Sequence, residues 1–597
     1  MRLLLILLFS IAGSISTTYL LNGFKDVSAS YLGIFSVILT VALFYLYNKE
    51  LTRREHWIRH LILSVLLSLS TVGGVFLDAG ILPENSGFVQ AGKFLLLCIG
   101  IVPAFYCLLH VLLRMIAWLA SEKRKCHVPG RHFNCFLYWL IIAAVILLAW
   151  TPVWLAYFPG LWNYDPWQVW QFINHQYDTV HPLVHTLLLG FCFNIGYARG
   201  NSNLGVAIYD WVQMAILACI FSYFVLFLKK RTGNRLLCFI TAVFYAIFPV
   251  NSILAISSTK DVLFSGLVLL NSVLSIQYID CIREMKSKRE HWRTAIALLL
   301  GVTAMLLFRN NAAYAFAGGL VIAVLLALRH KVPWKTVLLL FCCLALYACC
   351  NTALTRGLGA SKGRVTEALS VPAQQIGRIY YSDGMDEDVK KRIEEYCNVQ
   401  NMSYDPHLAD YMKYKKVLDY IHSWGDAVPF LKTSLQLFAQ YPLISIDSFL
   451  YLTEGWWYLG DVSCANIYPD GIAKRFGYLL TNVYEDFGIT HESKIPALEN
   501  FLEKSFTANN YQQWPLLSLL FAPALYIWLF AFLYLNMKRS DRYPFIFHWL
   551  LLFTNLLGPC CLVRYAYPFI VTIPLMIGIT VAEKSELVER AKCQVHL

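Results

Sequence analysis

Apolar stretches long enough to cross a bilayer recur along nearly the whole chain, and no other feature restricts its fold as strongly. They occupy residues 3–22, 31–48, 57–80, 92–118, 136–157, 204–228, 235–253, 261–280, 294–308, 312–328, 334–352, 515–536, 543–560 and 565–582. Each is near the ~20 residues that a helix needs to span a hydrocarbon core of ~30 Å. The expected fold is an all-α membrane protein, a polytopic helical bundle of about fourteen spans. Of 597 residues, 58% are hydrophobic and only 14% charged, with a mean hydropathy of +0.53. That composition excludes a soluble enzyme or a nucleic-acid binder.

The formal charge of +12 comes from 49 Lys and Arg against 37 Asp and Glu, and its placement gives the orientation. With the N-terminus in the cytoplasm, the clusters Lys49–Arg54, Lys123–Arg131, Lys229–Arg235, Arg283–Arg293, Arg329–Lys335 and Lys538–Arg542 all fall on the cytoplasmic side, as does the C-terminal tail. The positive-inside rule thus accounts for the excess charge without a nucleic-acid partner and predicts a multi-pass protein of the cytoplasmic membrane with both termini inside. This assignment requires the apolar segment 182–198 to lie at the outer interface rather than span. The opening MRLLLILLFSIAGSIS also has the character of a secretory signal peptide.

Four regions follow: residues 1–135, N-terminal transmembrane helices; 136–352, a transmembrane core with a large first outer loop at 158–203; 353–512, a mainly helical extracytoplasmic domain; and 513–597, C-terminal transmembrane helices and a tail. Both long outer regions exceed what a simple connection needs, so function is sought there. Most cysteines lie in apolar runs and act as small hydrophobes. Cys397 and Cys464 can pair if the outer compartment is oxidising. No spacing of metal ligands is present, and the need for a divalent cation stays open.

The other outer loops are nearly free of basic residues, so Lys260, Arg309 and Arg564 stand out. A lysine at a helix N-terminus opposes the helix dipole, and Lys260 is better explained by an anion held there. Arg309 also suits a helix C-terminus. Arg564, near Tyr565 and Tyr567, offers a planar fork of donors that fits a phosphate. Asp165, in YDPWQ with Gln168, comes just after the fifth apolar run, where a lipid headgroup and a water-soluble acceptor can meet; a carboxylate in such a partly dry place can act as a base. Asp before Pro166 equally suits a helix cap. His181 and His185, four apart, read either as sharing one helix face and able to contact an anion or, with His181 before Pro182, as a helix-start residue and a helical one. Tyr209, Asp210 and Gln213 lie in the outer part of the sixth apolar run, where an intramembrane carboxylate marks either a site or a wet position near the surface, and Asp261 suits the first turn of a helix. Glu454, Trp456, Trp457 and Tyr458 offer aromatic faces either to a sugar ring or to a core.

The motifs YDPWQ, HPLVHTLLLG, ISSTKDVLF, FRNN, EALSVPAQQIGR and RYAYP, in that order over about residues 150–580, resemble a family of bacterial polytopic membrane proteins of undefined substrate related to the GT-C glycosyltransferases. The resemblance implies a transmembrane bundle, an extracytoplasmic active site and a polyprenyl-phosphate-linked sugar donor. It makes Asp165 the catalytic acidic residue and Asp261 a match to a second acidic position. The sequence departs from the family pattern at Val180, where related proteins often carry a second histidine. Glu367, Gln374 and Gln375 match EALSVPAQQ without a role. The expected function is transfer of a sugar to an envelope glycan, lipid or protein, with Asp165 as base and Lys260, Arg309 and Arg564 holding the donor phosphate. A transporter or flippase of lipid-linked saccharides, or a non-catalytic envelope scaffold, are the alternatives.

Overall fold

The computed structural model describes residues 2–21, 29–51, 56–80, 87–121, 134–162, 167–413, 417–460, 487–506 and 519–595. Among them it is helical throughout, with three isolated bridges and no strand. Helices α1 (Arg2–Leu21), α2 (Ala29–Glu50), α3 (Trp57–Asp78) and α4 (Phe88–Ser121) precede α5 (Cys135–Ala156). The stretch 158–203 contributes α6 (Trp167–Asn174) and α7 (Leu183–Tyr197). Then come α8 (Ser202–Thr232), α9 (Arg235–Ile247), α10 (Pro249–Ala255), α11 (Lys260–Arg283), α12 (Lys288–Leu307), α13 (Asn310–Leu328) and α14 (Trp334–Gly357). The stretch 353–512 holds α15 (Ser370–Tyr380), α16 (Glu387–Glu394), α17 (Asp410–Lys413), α18 (Trp424–Gln440), α19 (Pro442–Thr453) and α20 (Pro496–Phe506), and α21 (Pro523–Asn536), α22 (Ile546–Leu556) and α23 (Val563–Val595) complete the order.

Nine of the described helices (α1, α3, α4, α5, α8, α11, α13, α14 and α23) are long and apolar enough to cross a membrane, and α9 with α10 makes a tenth if their bent pair counts as one span. The differences from the fourteen apolar runs have local causes. The run 235–253 breaks at Pro249, which lacks an N–H for the helix ladder, and the two halves meet at 50°. The run 294–308 belongs to α12, whose opening KREHWR is too charged to lie in lipid. The runs near 523–536 and 543–556 form short apolar helices, as does α7. At 15 residues α7 falls short of a bilayer's thickness. Helix α8 shows how an end is set: the Asn201 side chain accepts from Leu204 N, Gly233 closes the helix at φ 63°, and Lys229, Lys230 and Arg231 complement the dipole in the last turn.

The largest core joins α5, α8, α9, α11, α21 and α23 around fully buried Trp150, Phe221 and Tyr245, the last two stacked at 4.1 Å. The second outer region has its own core, built on Leu369, Ile376, Phe430 and Leu437. Backbone bonds tie it to the rest: Thr179 N to Ser361 O at 2.9 Å, and Ala409 N to Pro559 O at 2.9 Å. The stretch EALSVPAQQ works inside this region. Gln375 donates to Ser434 O and Ser445 Oγ, Gln374 donates to Asp405 O, and Glu367 pairs with Lys413. Glu454 and Trp456 are core residues, and Tyr458 packs so tightly on Gly74 that a Cβ there would come within 2.1 Å of its ring. These aromatics do not offer a sugar-stacking face, because their faces are spent on packing. Cys397 is a buried thiol in the outer core; its suggested partner Cys464 lies outside the described residues.

Candidate functional site

The loop Ile256–Thr259 ends α10 and starts α11, so Lys260 and Asp261 occupy the first turn of a helix whose opening is fixed from two sides. Leu161 N donates to Ile256 O at 2.8 Å and Ser258 N donates to Leu161 O at 3.1 Å, which fastens the first outer loop to this turn. From the opposite side comes Arg309, at the break between α12 and α13, where an extended residue (φ −153°, ψ 119°) caps α13. Asn310 beside it donates to Thr179 O at 3.0 Å and to Val180 O at 3.2 Å, bringing the stretch before His181 to the same place.

Four separated segments therefore converge. Arg309 Nη1 donates to Asp261 Oδ1 at 2.8 Å, and Nη2 donates to Asn555 Oδ1 at 3.1 Å. Arg564 Nε lies 3.6 Å from Asp261 Oδ2, while Nη2 donates to Tyr565 Oη at 3.0 Å. The Tyr565 ring lies beneath both guanidinium groups, 5.0 Å from that of Arg309 and 4.8 Å from that of Arg564. Lys260 Nζ donates to His181 Nδ1 at 2.8 Å, which makes that nitrogen the unprotonated one. The interior is closed: the side chains of Asp261, Arg309 and Arg564 are 1%, 7% and 9% exposed. Lys260 and His181 are only partly buried and form its accessible edge.

All three cations expected from the sequence thus meet, and Asp261 is the carboxylate that holds two of them. Several expectations need correction. Arg309 does not serve a helix C-terminus; it sits at an N-cap with its charge turned to Asp261. His181 and His185 do not share a helix face, because α7 starts only after Pro182. His185 instead lies between Gln168 (Nδ1–Oε1 2.6 Å) and Tyr209 (Nε2–Oη 2.8 Å). Tyr209 donates to Gln213 Oε1 at 2.9 Å, and Gln213 Nε2 donates to Ala255 O at 3.0 Å and Ser257 O at 2.8 Å. All four of these side chains are fully buried. They form a polar chain from the start of α6 to the carbonyls that set the Lys260 loop, a positioning role. Only the polar type of Gln213 inside an apolar run hinted at this in the sequence. Tyr567 is not part of the cluster: it donates to Asn251 Oδ1 at 3.1 Å within the α10–α23 contact. Asp210 is buried against Gly160. Asp165 lies in 163–166, outside the described residues, between buried Trp162 and buried Gln168. Among the described residues no group of three or more His, Cys, Asp or Glu could hold a metal ion.

A family model matches residues 169–594, and it includes every described member of the cation cluster. The chain belongs to the DUF6020 family, a family of unknown function. No curated protein and no solved structure matches it. The DUF6020 match leaves out α1 to α5 and begins just after Asp165 and Gln168, whereas Lys260, Asp261, Arg309, Asn555, Arg564 and Tyr565 fall well inside it.

Proposed function

We propose that this DUF6020 protein is an integral membrane glycosyltransferase that moves a sugar from a polyprenyl-phosphate-linked donor to an extracytoplasmic glycan, lipid or protein. The observation that carries this reading is the convergence of Lys260, Arg309 and Arg564, from three helix junctions far apart in sequence, around Asp261 and His181. Even with Asp165 counted beside Asp261, three cations face two carboxylates, and a phosphate is the charge complement of such a group. In the proposed reaction Asp165 takes the proton of an acceptor hydroxyl. The hydroxyl oxygen bonds to the anomeric carbon, and the bond from that carbon to the phosphate oxygen breaks. The phosphate leaves with the electron pair and is held by the cations as its charge grows. The resemblance to GT-C glycosyltransferases supports the role of Asp165 and the polyprenyl donor.

The test compares envelope glycans from cells carrying wild-type protein or Asp165→Asn at equal membrane insertion. The sugar should be missing in the variant, and its continued attachment would remove Asp165 from the role of base. Lys260→Ala should raise the KM for the donor more than that for the acceptor. A fall in carrier transport without loss of transfer by isolated membranes would replace this reading with a flippase.

A further inference from the structure

Buried polar side chains usually find partners, yet five residues next to the cation cluster carry atoms that have none among the described residues. They are Trp162 Nε1, Gln168 Nε2, both terminal atoms of Gln171, both carboxylate oxygens of Asp210, and Ser258 Oγ. None of the five residues is more than 3% exposed. Three anchors hold Trp162, Gln168, Asp210 and Ser258 in one neighbourhood, and Gln171 stands one turn after Gln168 on α6. Ser258 is bonded through its backbone to Leu161, beside Trp162. Gln168 reaches Tyr209, the neighbour of Asp210, through His185. Trp162, Val169 and Tyr209 belong to one apolar cluster. Gly160 completes the group. It has φ 151°, and a Cβ there would stand 1.6 Å from Asp210 Oδ2, so the lack of a side chain is what admits the carboxylate.

The atoms are mixed in kind: an indole N–H, amide N–H groups and a hydroxyl as donors, a carboxylate and an amide oxygen as acceptors. An ionised phosphate offers acceptors alone and would leave the oxygens of Asp210 and Gln171 without donors, and a hard cation asks for more oxygen ligands than one carboxyl and one amide supply. A polyol suits the set, because each of its hydroxyls both donates and accepts. We propose that Trp162, Gln168, Gln171, Asp210 and Ser258 form a subsite for the hydroxyls of the donor's sugar, an assignment that rests on the glycosyl-transfer reading. Ser258 and Lys260 stand two residues apart on one loop, so the sugar end and the phosphate end of a single lipid-linked donor would be gripped by neighbouring parts of the same turn.

The experiment measures binding of a bare polyprenyl phosphate, and of the same lipid bearing one hexose or one pentose, to the full-length protein in nanodiscs. Wild type should bind at least one of the sugar-bearing lipids about tenfold more tightly than the bare lipid, the scale of a hydrogen bond to a charged group. Asp210→Asn and Gln171→Leu should each remove most of that preference while leaving affinity for the bare lipid unchanged. Gln171→Leu should also unfold at the same or a higher temperature, because it deletes unpaired buried atoms; a merely structural Gln171 would give a lower one. Equal binding of bare and sugar-bearing lipids by wild type, or a preference that survives in Asp210→Asn, would overturn the subsite while leaving the phosphate site standing. Bare-lipid binding that Lys260→Ala does not weaken would instead bring down the glycosyl-transfer reading, and the subsite with it.

Discussion

Replacing Asp261 by Asn isolates the energetic centre of the cation cluster. The substitution keeps the shape and one carbonyl oxygen, but it leaves two guanidinium groups, 7% and 9% exposed, without the carboxylate that lies 2.8 and 3.6 Å away. Removing one partner of a buried ion pair costs about 3–5 kcal/mol, because the remaining charge stays desolvated. The retained oxygen still accepts from Arg309, which places the expected loss near the lower end, about 3 kcal/mol, or more than a hundredfold in the folded-to-unfolded ratio. The assay is SDS-titrated unfolding in mixed micelles, followed by tryptophan fluorescence, for Asp261→Asn, Arg309→Gln and the double variant. Because the two side chains touch, the double variant should lose at least about 1 kcal/mol less than the sum of the single losses. Additivity within about 0.5 kcal/mol would refute the direct pair and, with it, the view that Asp261 organises the cations.

Three further outcomes follow from particular contacts. Gly160→Ala should fail to accumulate as folded protein, since its Cβ would overlap Asp210 Oδ2 and its φ of 151° disfavours any side chain; normal yield in a membrane expression assay would contradict this. Tyr209→Phe should cost about 1–3 kcal/mol in the same SDS titration, because Gln213 and His185 each lose a buried partner; a loss below about 0.5 kcal/mol would show that the polar chain does not tie the Lys260 loop. Glu454, buried in the outer region, has its carboxyl pushed up to about 8 by desolvation. The folded state then holds a proton that the unfolded state has released, so stability should fall as pH rises from about 4.5 to about 8. His407 faces it at 3.4 Å and is held below its ordinary value of 6.5 by burial, which adds an opposite trend at lower pH. Between about 6.5 and 8 the slope should be shallower in Glu454→Gln than in wild type when unfolding is followed against pH, and an unchanged slope would remove Glu454 as a source of it.

What the sequence disclosed and what it hid have different physical origins. Lys260, Arg309 and Arg564 were legible because a cation in a loop otherwise free of basic residues carries a desolvation cost that something must offset, and composition alone reveals the imbalance. Their mutual arrangement was not legible. Asp261 read as a helix-dipole residue because local geometry suffices to explain an acidic first turn, whereas its partners lie 48 and 303 positions further along the chain. The span count suffered in the same way: an apolar run says that a segment is buried in lipid or protein, but Pro249 or the charged start of α12 decides whether one straight helix results. Of the buried polar chain, His185, Gln168, Tyr209 and Gln213 each stand out in the sequence as polar residues in apolar surroundings, but their connection does not. Such residues matter through hydrogen bonds between distant segments, and a one-dimensional reading holds no signal for them.

The closed state of the cluster places a further condition on the proposed chemistry. Both guanidinium groups are engaged with Asp261, Asn555 and Tyr565, so an arriving phosphate cannot simply occupy an idle fork. It must first meet Lys260 and His181 at the exposed edge, and then share or replace Asp261 as the partner of Arg564, whose 3.6 Å contact is the looser of the two. The 2.8 Å contact of Arg309 is the one expected to persist. On this view Lys260 governs capture, Arg564 tightens on the leaving phosphate, and Arg309 with Asp261 supplies the fixed frame. Removal of Lys260 would then act on donor binding, removal of Arg564 on the rate of transfer, and removal of Arg309 chiefly on folding. A single shared role for the three cations would make those effects alike.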